Sequence, residues 1–364
     1  MEAFYKGTRH LIIGRSANIT QPHHDRTNCQ YRDRCWRGCP FGGYFSSNAS
    51  TIPWAQKTGN LTLKTGAVVH SIIYDDKLKK ATGVKVIDAG TKQTTEYFAK
   101  IIFVNAACLN TNLILLNSVS ERFPNGIGND NGLLGKYICF HNYRGSISAT
   151  YDGFYDFTTY GRRPTMVIMP SFRNVRKQEM PFKRGYLIAF TANKIRGVEN
   201  TGDPIGVDLK KSLSEAGAWS IYMMMQGETI PKETNHVRLS KDQKDAWGIP
   251  QLITSVDYDE NDDMLVNDFL EQGVEMLTKA GCKNISTKDS KQAPGLDIHE
   301  MGGVRMGKDP KTSLLNKWNG LHSCPNVFVT DGACMTSTGT QNPSLTFMAF
   351  TARAANYAAE DFKK

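Results

Sequence analysis

The chain has 364 residues, of which 40% are hydrophobic and 22% are charged, and its formal net charge is +9 at pH 7. This composition is typical of a globular protein, and the length is enough for two domains. No apolar run approaches the ~18 residues that a membrane span requires. Lys and Arg are scattered along the chain, so the charge predicts a basic solvated surface and not a nucleic-acid-binding protein.

The N-terminal region shows neither a targeting segment nor a phosphate-binding loop. Residues 1–7 are too polar for a signal peptide, so a cytoplasmic protein without a transmembrane segment is expected. Leu11-Ile12-Ile13 predicts a short strand, but no G-x-G-x-x-G follows it. That loop holds the pyrophosphate in dinucleotide-binding folds.

Three cysteines lie close together in the first 59 residues, which we interpret as a connecting segment. Cys29, Cys35 and Cys39 match neither the C-x-x-C pairs of zinc sites nor the four-cysteine run of ferredoxins. Free or structural thiols are therefore favoured, and no metal ligand is assigned. An iron–sulfur cluster and a disulfide remain as alternatives.

Residues 60–104 predict a β-rich region. Short alternating runs separated by polar turns are typical of an antiparallel meander. The continuous apolar run 101–104 predicts a strand that is buried on both faces. The predicted strands are Leu61–Thr65, Ala67–Tyr74, Thr82–Asp88, Glu96–Ala99 and Ile101–Val104. Small residues, Asn105-Ala106-Ala107, end the last strand, and a helix is expected over 110–116.

The middle of the chain predicts a second kind of domain. A β-branched run lies at 165–170, and strands are expected over 186–190, 220–225 and 236–239. A helix follows over 262–280, with apolar residues at i, i+3 and i+4. The methionines at 223–225 fit a core strand better than a binding face. His141, just after a turn-rich loop, is interpreted as structural and not catalytic.

The C-terminal region carries the clearest chemistry. His299 opens a glycine-rich turn, and the apolar strand 326–330 runs into Asp331-Gly332. Such a strand end places a carboxylate at the sheet edge where α/β folds bind ligands. Asn342 before Pro343 predicts a helix N-cap, and the N–H groups of the following turn attract electron-rich groups. His299, a proton acceptor, is therefore expected beside a helix start that stabilises negative charge.

This arrangement resembles the C-terminal signature of the glucose–methanol–choline (GMC) flavoprotein oxidoreductases. The resemblance implies that His299 is the catalytic base and that Asn342 is its partner. It further implies a set of cofactor contacts from residues at strand ends and at the last helix start: Val68, Ala106, Asp331, Gly332, Asn342, Pro343 and Ser344. One departure is Gly303, where the family usually has Thr.

The predicted fold class is α/β and α+β: an FAD/NAD(P)-binding fold of the GMC type that lacks its first βαβ unit, with an antiparallel-sheet substrate domain. The expected segments are the connecting segment 1–59, FAD-domain parts 60–140 and 299–364, and the substrate domain 141–298. The missing glycine-rich loop leaves two interpretations: the chain lacks the family's first part, or it binds something other than FAD. The first is favoured because the later flavin motifs are intact.

The resemblance implies an FAD-dependent oxidoreductase that acts on the CH–OH group of a small alcohol, sugar or glycoside. Its electron acceptor is not specified by the sequence. Two alternatives remain open: an inactive fragment without tightly bound FAD, and an iron–sulfur or electron-transfer module built on Cys29, Cys35 and Cys39.

Overall fold

The computed structural model describes residues 9–32, 35–157, 166–194, 205–215, 217–296 and 298–361. The chain divides into two compact units. The first contains Met1–Leu63, Tyr143–Gln226 and Met264–Lys291, and the second contains Lys64–Asn142, Gly227–Asp263 and Gln292–Lys364. Within the described ranges, no helix has the length and apolar character needed to cross a bilayer.

The elements are numbered in chain order. The strands are β1 (Ile12–Ile13), β2 (Ala67–Asp75), β3 (Lys80–Asp88), β4 (Thr94–Phe98), β5 (Ile102–Phe103), β6 (Lys136–Cys139), β7 (His141–Asn142), β8 (Gly145–Tyr151), β9 (Val167–Met169), β10 (Tyr186–Lys194), β11 (Trp219–Glu228), β12 (His236–Lys244), β13 (Pro250–Ser255), β14 (Lys283–Asp289), β15 (Met301–Gly303) and β16 (Val327–Phe328). The α-helices are α1 (Thr51–Lys57), α2 (Cys108–Asn117), α3 (Gly206–Ser214), α4 (Glu260–Lys279) and α5 (Ser344–Asp361).

The first unit is built on a sheet whose strand order is β1-β9-β10-β11-β8-β14. Helix α4 packs on it, because Phe269 and Leu265 share one buried cluster with Met223 and Met225 of β11. A Cβ at Gly273 of α4 would lie 2.2 Å from the Ile147 side chain, so glycine permits this close approach. Met223 and Met225 are fully buried, which confirms the prediction of a core strand.

The second unit contains three sheets. β2, β3 and β4 form an antiparallel meander, while β13, β12, β6 and β15 form a four-stranded sheet in that order. The third sheet pairs β16 with β5 in parallel. A continuous core gathers side chains from these sheets around α2, which contributes the fully buried Leu115.

The predicted mixture of helices and antiparallel sheets is confirmed, with several changes at element ends. Helix α2 begins at Cys108, two residues before its predicted start, and β5 and β16 are two-residue strands. Helix α4 begins at Glu260 because Asp259 and Asp262 cap it reciprocally: Asp262 N–H donates to Asp259 Oδ1 (3.3 Å), and Asp259 N–H donates to Asp262 Oδ2 (3.1 Å).

The strand predicted over Leu61–Thr65 was wrong. These residues are irregular and exposed, with Leu63 at 52% exposure. The alternating pattern alone was not sufficient, because these residues pair with no strand among the described residues. The β-branched run 165–170 contains β9, which begins at Val167, and Thr165 lies outside the described residues. The unit division also differs from the predicted segments, since 227–263 falls in the second unit.

All eight cysteines lie in the described part of the chain, and none forms a disulfide bond. Cys29 is buried, whereas Cys35 and Cys39 are half-buried. No three His, Cys, Asp or Glu side chains among the described residues are grouped to hold a metal ion. The disulfide alternative is thereby removed, and the iron–sulfur alternative gains no support from the described residues.

Candidate active site

The carboxyl ends of β5 and β16 meet at one edge of their sheet. The two strands are parallel, with Val327 opposite Ile102 and Phe328 opposite Phe103. The loops that follow them are tied together, because the N–H and the hydroxyl of Thr330 donate to Asn105 Oδ1 at 3.0 and 3.1 Å. This edge is where ligands bind in open α/β sheets.

Asp331 fixes the loop after β16 to the first turn of α2. Its Oδ2 accepts a hydrogen bond from the Thr111 hydroxyl at 2.5 Å, and its Oδ1 accepts one from Ala333 N–H at 3.0 Å. The Thr111 oxygen in turn accepts from Ala106 N–H at 3.0 Å. Burial raises the pKa of Asp331, and these donors oppose that rise. Asp331, Ala106 and Gly332, three of the predicted cofactor contacts, are thus brought together.

Ala107 holds a strained backbone at this edge. Its φ is 65° and its ψ is 156°, and it precedes α2 without capping it through a side chain. Essentially only glycine adopts this region, and other residues there cost about 1–3 kcal/mol. Such strain is commonly found beside functional sites.

We expect Ala107→Gly to stabilise the protein by about 1 kcal/mol. Glycine relieves the strain, although it loses about 0.5–1 kcal/mol more conformational freedom on folding. The measurement is the free energy of unfolding in urea. Ala106→Gly is the matched control and should destabilise, because Ala106 has no positive φ. Equal effects of the two substitutions would contradict the assigned strain.

His299, His141 and Asn342 form the second part of the site. His141 Nδ1 lies 2.9 Å from His299 Nδ1, and His141 Nε2 lies 3.0 Å from the Gly339 carbonyl oxygen. On the other side of its ring, His299 Nε2 lies 3.4 Å from Asn342 Nδ2. Three separate stretches of the second unit therefore meet at His299: β7, the His299 turn, and the loop before α5.

Burial lowers the pKa values of both histidines. The pKa of His141 falls to about 4, because the ring is buried and His299 is close, while the hydrogen bond to Gly339 acts in the opposite direction. Burial also lowers the pKa of His299 from its usual 6.5. Both rings are therefore neutral at pH 7, which suits a proton acceptor.

The turn after His299 packs tightly against α2. Asn112 is fully buried, and its Nδ2 donates to the carbonyl oxygens of Cys108 (2.9 Å) and Gly302 (3.1 Å). A Cβ at Gly303 would lie 2.2 Å from Asn112 Oδ1. The glycine that departs from the family's usual Thr therefore makes room for a buried amide.

The start of α5 differs slightly from its prediction. The helix begins at Ser344, and Phe347 N–H donates to Pro343 O at 3.1 Å, so Asn342 precedes the N-cap position by one residue. The N-cap role predicted for Asn342 was wrong. Its side chain faces His299 instead.

The other predicted contacts are distributed as follows. A Cβ at Gly332 would lie 2.5 Å from Glu300 O and 3.6 Å from the Phe347 ring. Gly332 therefore packs against both the His299 turn and α5. Pro343 and Ser344 lie at the start of α5. Val68 lies in β2 opposite Ile87, in the meander and outside both groups.

Sequence reasoning missed Thr111, Asn112 and Gly339, and it assigned His141 only a structural place. Thr111 and Asn112 carried a usable signal, because they belong to a run of three polar residues, Asn110-Thr111-Asn112, within a helix that is otherwise largely apolar. Gly339 acts through its backbone carbonyl, which leaves no signature in the side-chain pattern.

Comparison with known proteins identifies the family of this chain. Two family models described as GMC oxidoreductase match the chain, one over residues 5–142 and the other over residues 231–351, and together they match well over half of it. The chain belongs to the GMC oxidoreductases. Solved structures with a similar fold confirm the fold class that the sequence predicted. A formate oxidase from Aspergillus oryzae RIB40 aligns over 88% of this chain and 64% of its own, with a TM-score of 0.63 and 12% identity.

Among GMC relatives of known activity, the chain is 31% identical to a 2-methyl-1,2-propanediol dehydrogenase from Mycolicibacterium austroafricanum, over 95% of this chain and 63% of the relative. It is 26% identical to a fructose dehydrogenase large subunit from Gluconobacter japonicus, over 96% of this chain and 62% of the relative. The chain thus spans about three fifths of the length of these relatives.

The loop before α5 is compatible with the flavin that the family implies. Thr338 Oγ1 is buried and has no hydrogen-bond partner among the described residues, and a Cβ at the neighbouring Gly339 would meet nothing within 4 Å. The loop before α5 therefore combines an unsatisfied polar atom with open space. Polar atoms that are buried normally have partners, so this loop is suited to a polar ligand.

Proposed function

We propose that this GMC protein is an FAD-dependent oxidoreductase that converts the CH–OH group of a small alcohol or sugar to a carbonyl. The observation that carries the proposal is the position of His299, with Nδ1 2.9 Å from His141 Nδ1 and Nε2 toward the Asn342 amide. Burial lowers the pKa of this ring, so its Nε2 can accept the proton of a hydroxyl that the Asn342 amide also contacts.

His299 and Asn342 have separate roles in this proposal. His299 Nε2 accepts the proton of the substrate hydroxyl, and the Asn342 amide orients the same hydroxyl by a hydrogen bond. Bound FAD would supply the group that accepts the hydride from the substrate carbon. Ala106, Asp331, Gly332, Pro343 and Ser344 would hold the cofactor at the sheet edge, and Val68 would contact it from β2.

The names of the relatives support the substrate class. One is named for a diol and another for fructose, so both names identify substrates with hydroxyl groups. We infer that this chain acts on a similar polyhydroxylated or alcohol donor. A cytoplasmic location stays a prediction.

The sequence has no G-x-G-x-x-G after an early strand, and the interpretation that the chain lacks this loop also stays a prediction. Backbone N–H groups of that loop contribute much of the affinity for a dinucleotide. We therefore expect this chain alone to bind FAD with a dissociation constant weaker than about 1 μM, which corresponds to about −8 kcal/mol. Titration calorimetry measures this dissociation constant, and a sub-micromolar value would contradict the expectation.

We expect flavin reduction to increase with pH and to reach a plateau near neutrality. His299 must be unprotonated to act, and burial lowers its pKa below 6.5, so the half-maximal rate should lie below pH 6.5. Stopped-flow absorbance of FAD-saturated protein, with an alcohol that does not ionise in this range, measures the profile. A midpoint above 6.5 would contradict the assignment.

An absorbance spectrum tests the proposal as a whole. In the presence of saturating FAD, the protein should perturb the two visible flavin bands, and a responsive alcohol or sugar should bleach them. Protein that leaves the bands of added FAD unperturbed and unbleached at every FAD concentration would instead support the inactive-fragment alternative. A broad brown absorbance would support the iron–sulfur alternative.

A further inference from the structure

The hydrogen bonds of His141 define which of its nitrogens carries a proton. The Gly339 carbonyl oxygen can only accept, so His141 Nε2 must donate the 3.0 Å bond to it. His141 is fully buried in the second unit. Because burial lowers its pKa to about 4, the ring is neutral near pH 7 and its other nitrogen, Nδ1, carries a lone pair.

This lone pair in turn defines the tautomer of His299. The two Nδ1 atoms lie 2.9 Å apart, and one of them must donate. Since His141 Nδ1 is the acceptor, His299 Nδ1 carries the hydrogen. A neutral His299 then has its lone pair on Nε2, the nitrogen that lies 3.4 Å from the Asn342 amide.

We propose that His141 is a positioning residue that holds His299 in the Nδ1–H tautomer and thereby places the acceptor nitrogen toward the substrate hydroxyl. The Gly339 carbonyl sets the tautomer of His141, and His141 sets the tautomer of His299. The catalytic consequence rests on the proposed function, whereas the tautomer itself does not.

The same geometry confines the transferred proton to His299. When Nε2 accepts the substrate proton, His299 becomes an imidazolium that still donates from Nδ1 to His141. A proton that moved on to His141 would make this fully buried ring cationic, which burial disfavours, and its Nε2–H donates to a carbonyl oxygen that does not take up a proton near pH 7. His141 therefore supports the charged base without acting as a proton relay.

The experiment uses ¹⁵N-histidine-labelled full chain and two-bond ¹H–¹⁵N correlation spectra, which distinguish protonated from unprotonated ring nitrogens. His299 signals are assigned by their loss in His299→Ala. The unaltered protein at pH 7 should show His299 with Nδ1 protonated and Nε2 unprotonated. A His299 with Nε2 protonated would overturn the proposal, whether or not the protein is active.

Variants of His141 provide the second measurement. His141→Leu removes both hydrogen bonds, so His299 should populate both tautomers, and flavin reduction should fall at least tenfold while the substrate concentration at half-maximal rate changes little. His141→Gln keeps a donor and an acceptor in one amide and should restore most of the rate. His236→Leu is the matched control, because His236 lies in β12 outside the site.

The outcomes separate this inference from the proposed function. If His299→Ala is impaired but His141→Leu reduces flavin as fast as the unaltered protein, the positioning role is wrong and the base assignment stands. If neither variant is impaired, the proposed function itself fails. A folded His141→Leu whose activity is lost and is not restored by Gln would also count against positioning. If His141→Leu does not fold, as judged by circular dichroism, the spectrum of the unaltered protein and the Gln variant still decide.

Discussion

His299→Ala should slow the reduction of bound flavin by ~10²–10⁴-fold, which is the usual cost of removing a positioned base. The histidine is assigned to proton transfer, and its contacts are with His141 and Asn342. The affinity for FAD should therefore remain nearly unchanged. Stopped-flow absorbance with a responsive alcohol or sugar measures the rate, and titration calorimetry measures the affinity.

The matched control for this substitution is His236→Ala, which removes a histidine from β12 and should leave both quantities as they are. A normal rate in His299→Ala would show that another group accepts the proton, and His141 would then be tested next. A lost rate together with lost FAD affinity would instead place His299 in cofactor binding. The two measurements are therefore needed on the same preparation.

The parts of this site that the sequence predicted are those encoded by local pattern. Asp331-Gly332 follows an apolar strand, and Asn342-Pro343 precedes a helix, so each motif reports its own position in a strand or helix. The place of Asp331 at the end of a strand, where α/β sheets bind ligands, followed from a general rule about such sheets. The tie from Asp331 through Thr111 to Ala106 was not encoded in a local pattern and required the structure.

The contact between His141 and His299 was not predictable in the same way. The two residues are 158 positions apart, and they meet because β6 pairs with β15 in one particular register. In that register Met301 lies opposite Cys139, which places the residues just beyond the strand ends together. Sequence periodicity identifies a strand but does not specify its partner, so this contact required the structure.

The departure at Gly303 has a similar explanation. The sequence showed Gly303 where the family usually has Thr, but it did not show which side chain fills the space beside this glycine. Asn112, on α2 and distant in sequence, occupies the space that a Cβ at Gly303 would take. The glycine also has φ of +87°, a conformation that β-branched residues avoid. The two positions are therefore coupled, and restoring the family's residue at one of them should disturb the other.

We expect Gly303→Thr to destabilise the protein by about 2–5 kcal/mol. The positive φ costs roughly 1–2 kcal/mol for a residue with a Cβ, and forcing extra atoms into a packed interior costs about 1–3 kcal/mol more. The displaced Asn112 amide would also lose its bonds to the carbonyls of Cys108 and Gly302. Urea denaturation, with the thermal midpoint as a second measure, gives the change in unfolding free energy.

Two controls separate these contributions. Gly66→Thr makes the same substitution at φ +65° with nothing within 4 Å of the new Cβ, so it should show the backbone cost alone. The double substitution of Asn112→Ala with Gly303→Thr removes the overlap. It should therefore destabilise the protein by less than the sum of the two single effects. If Gly303→Thr costs no more than Gly66→Thr, the buried amide does not fill this space. The coupling between the His299 turn and α2 would then have to arise elsewhere.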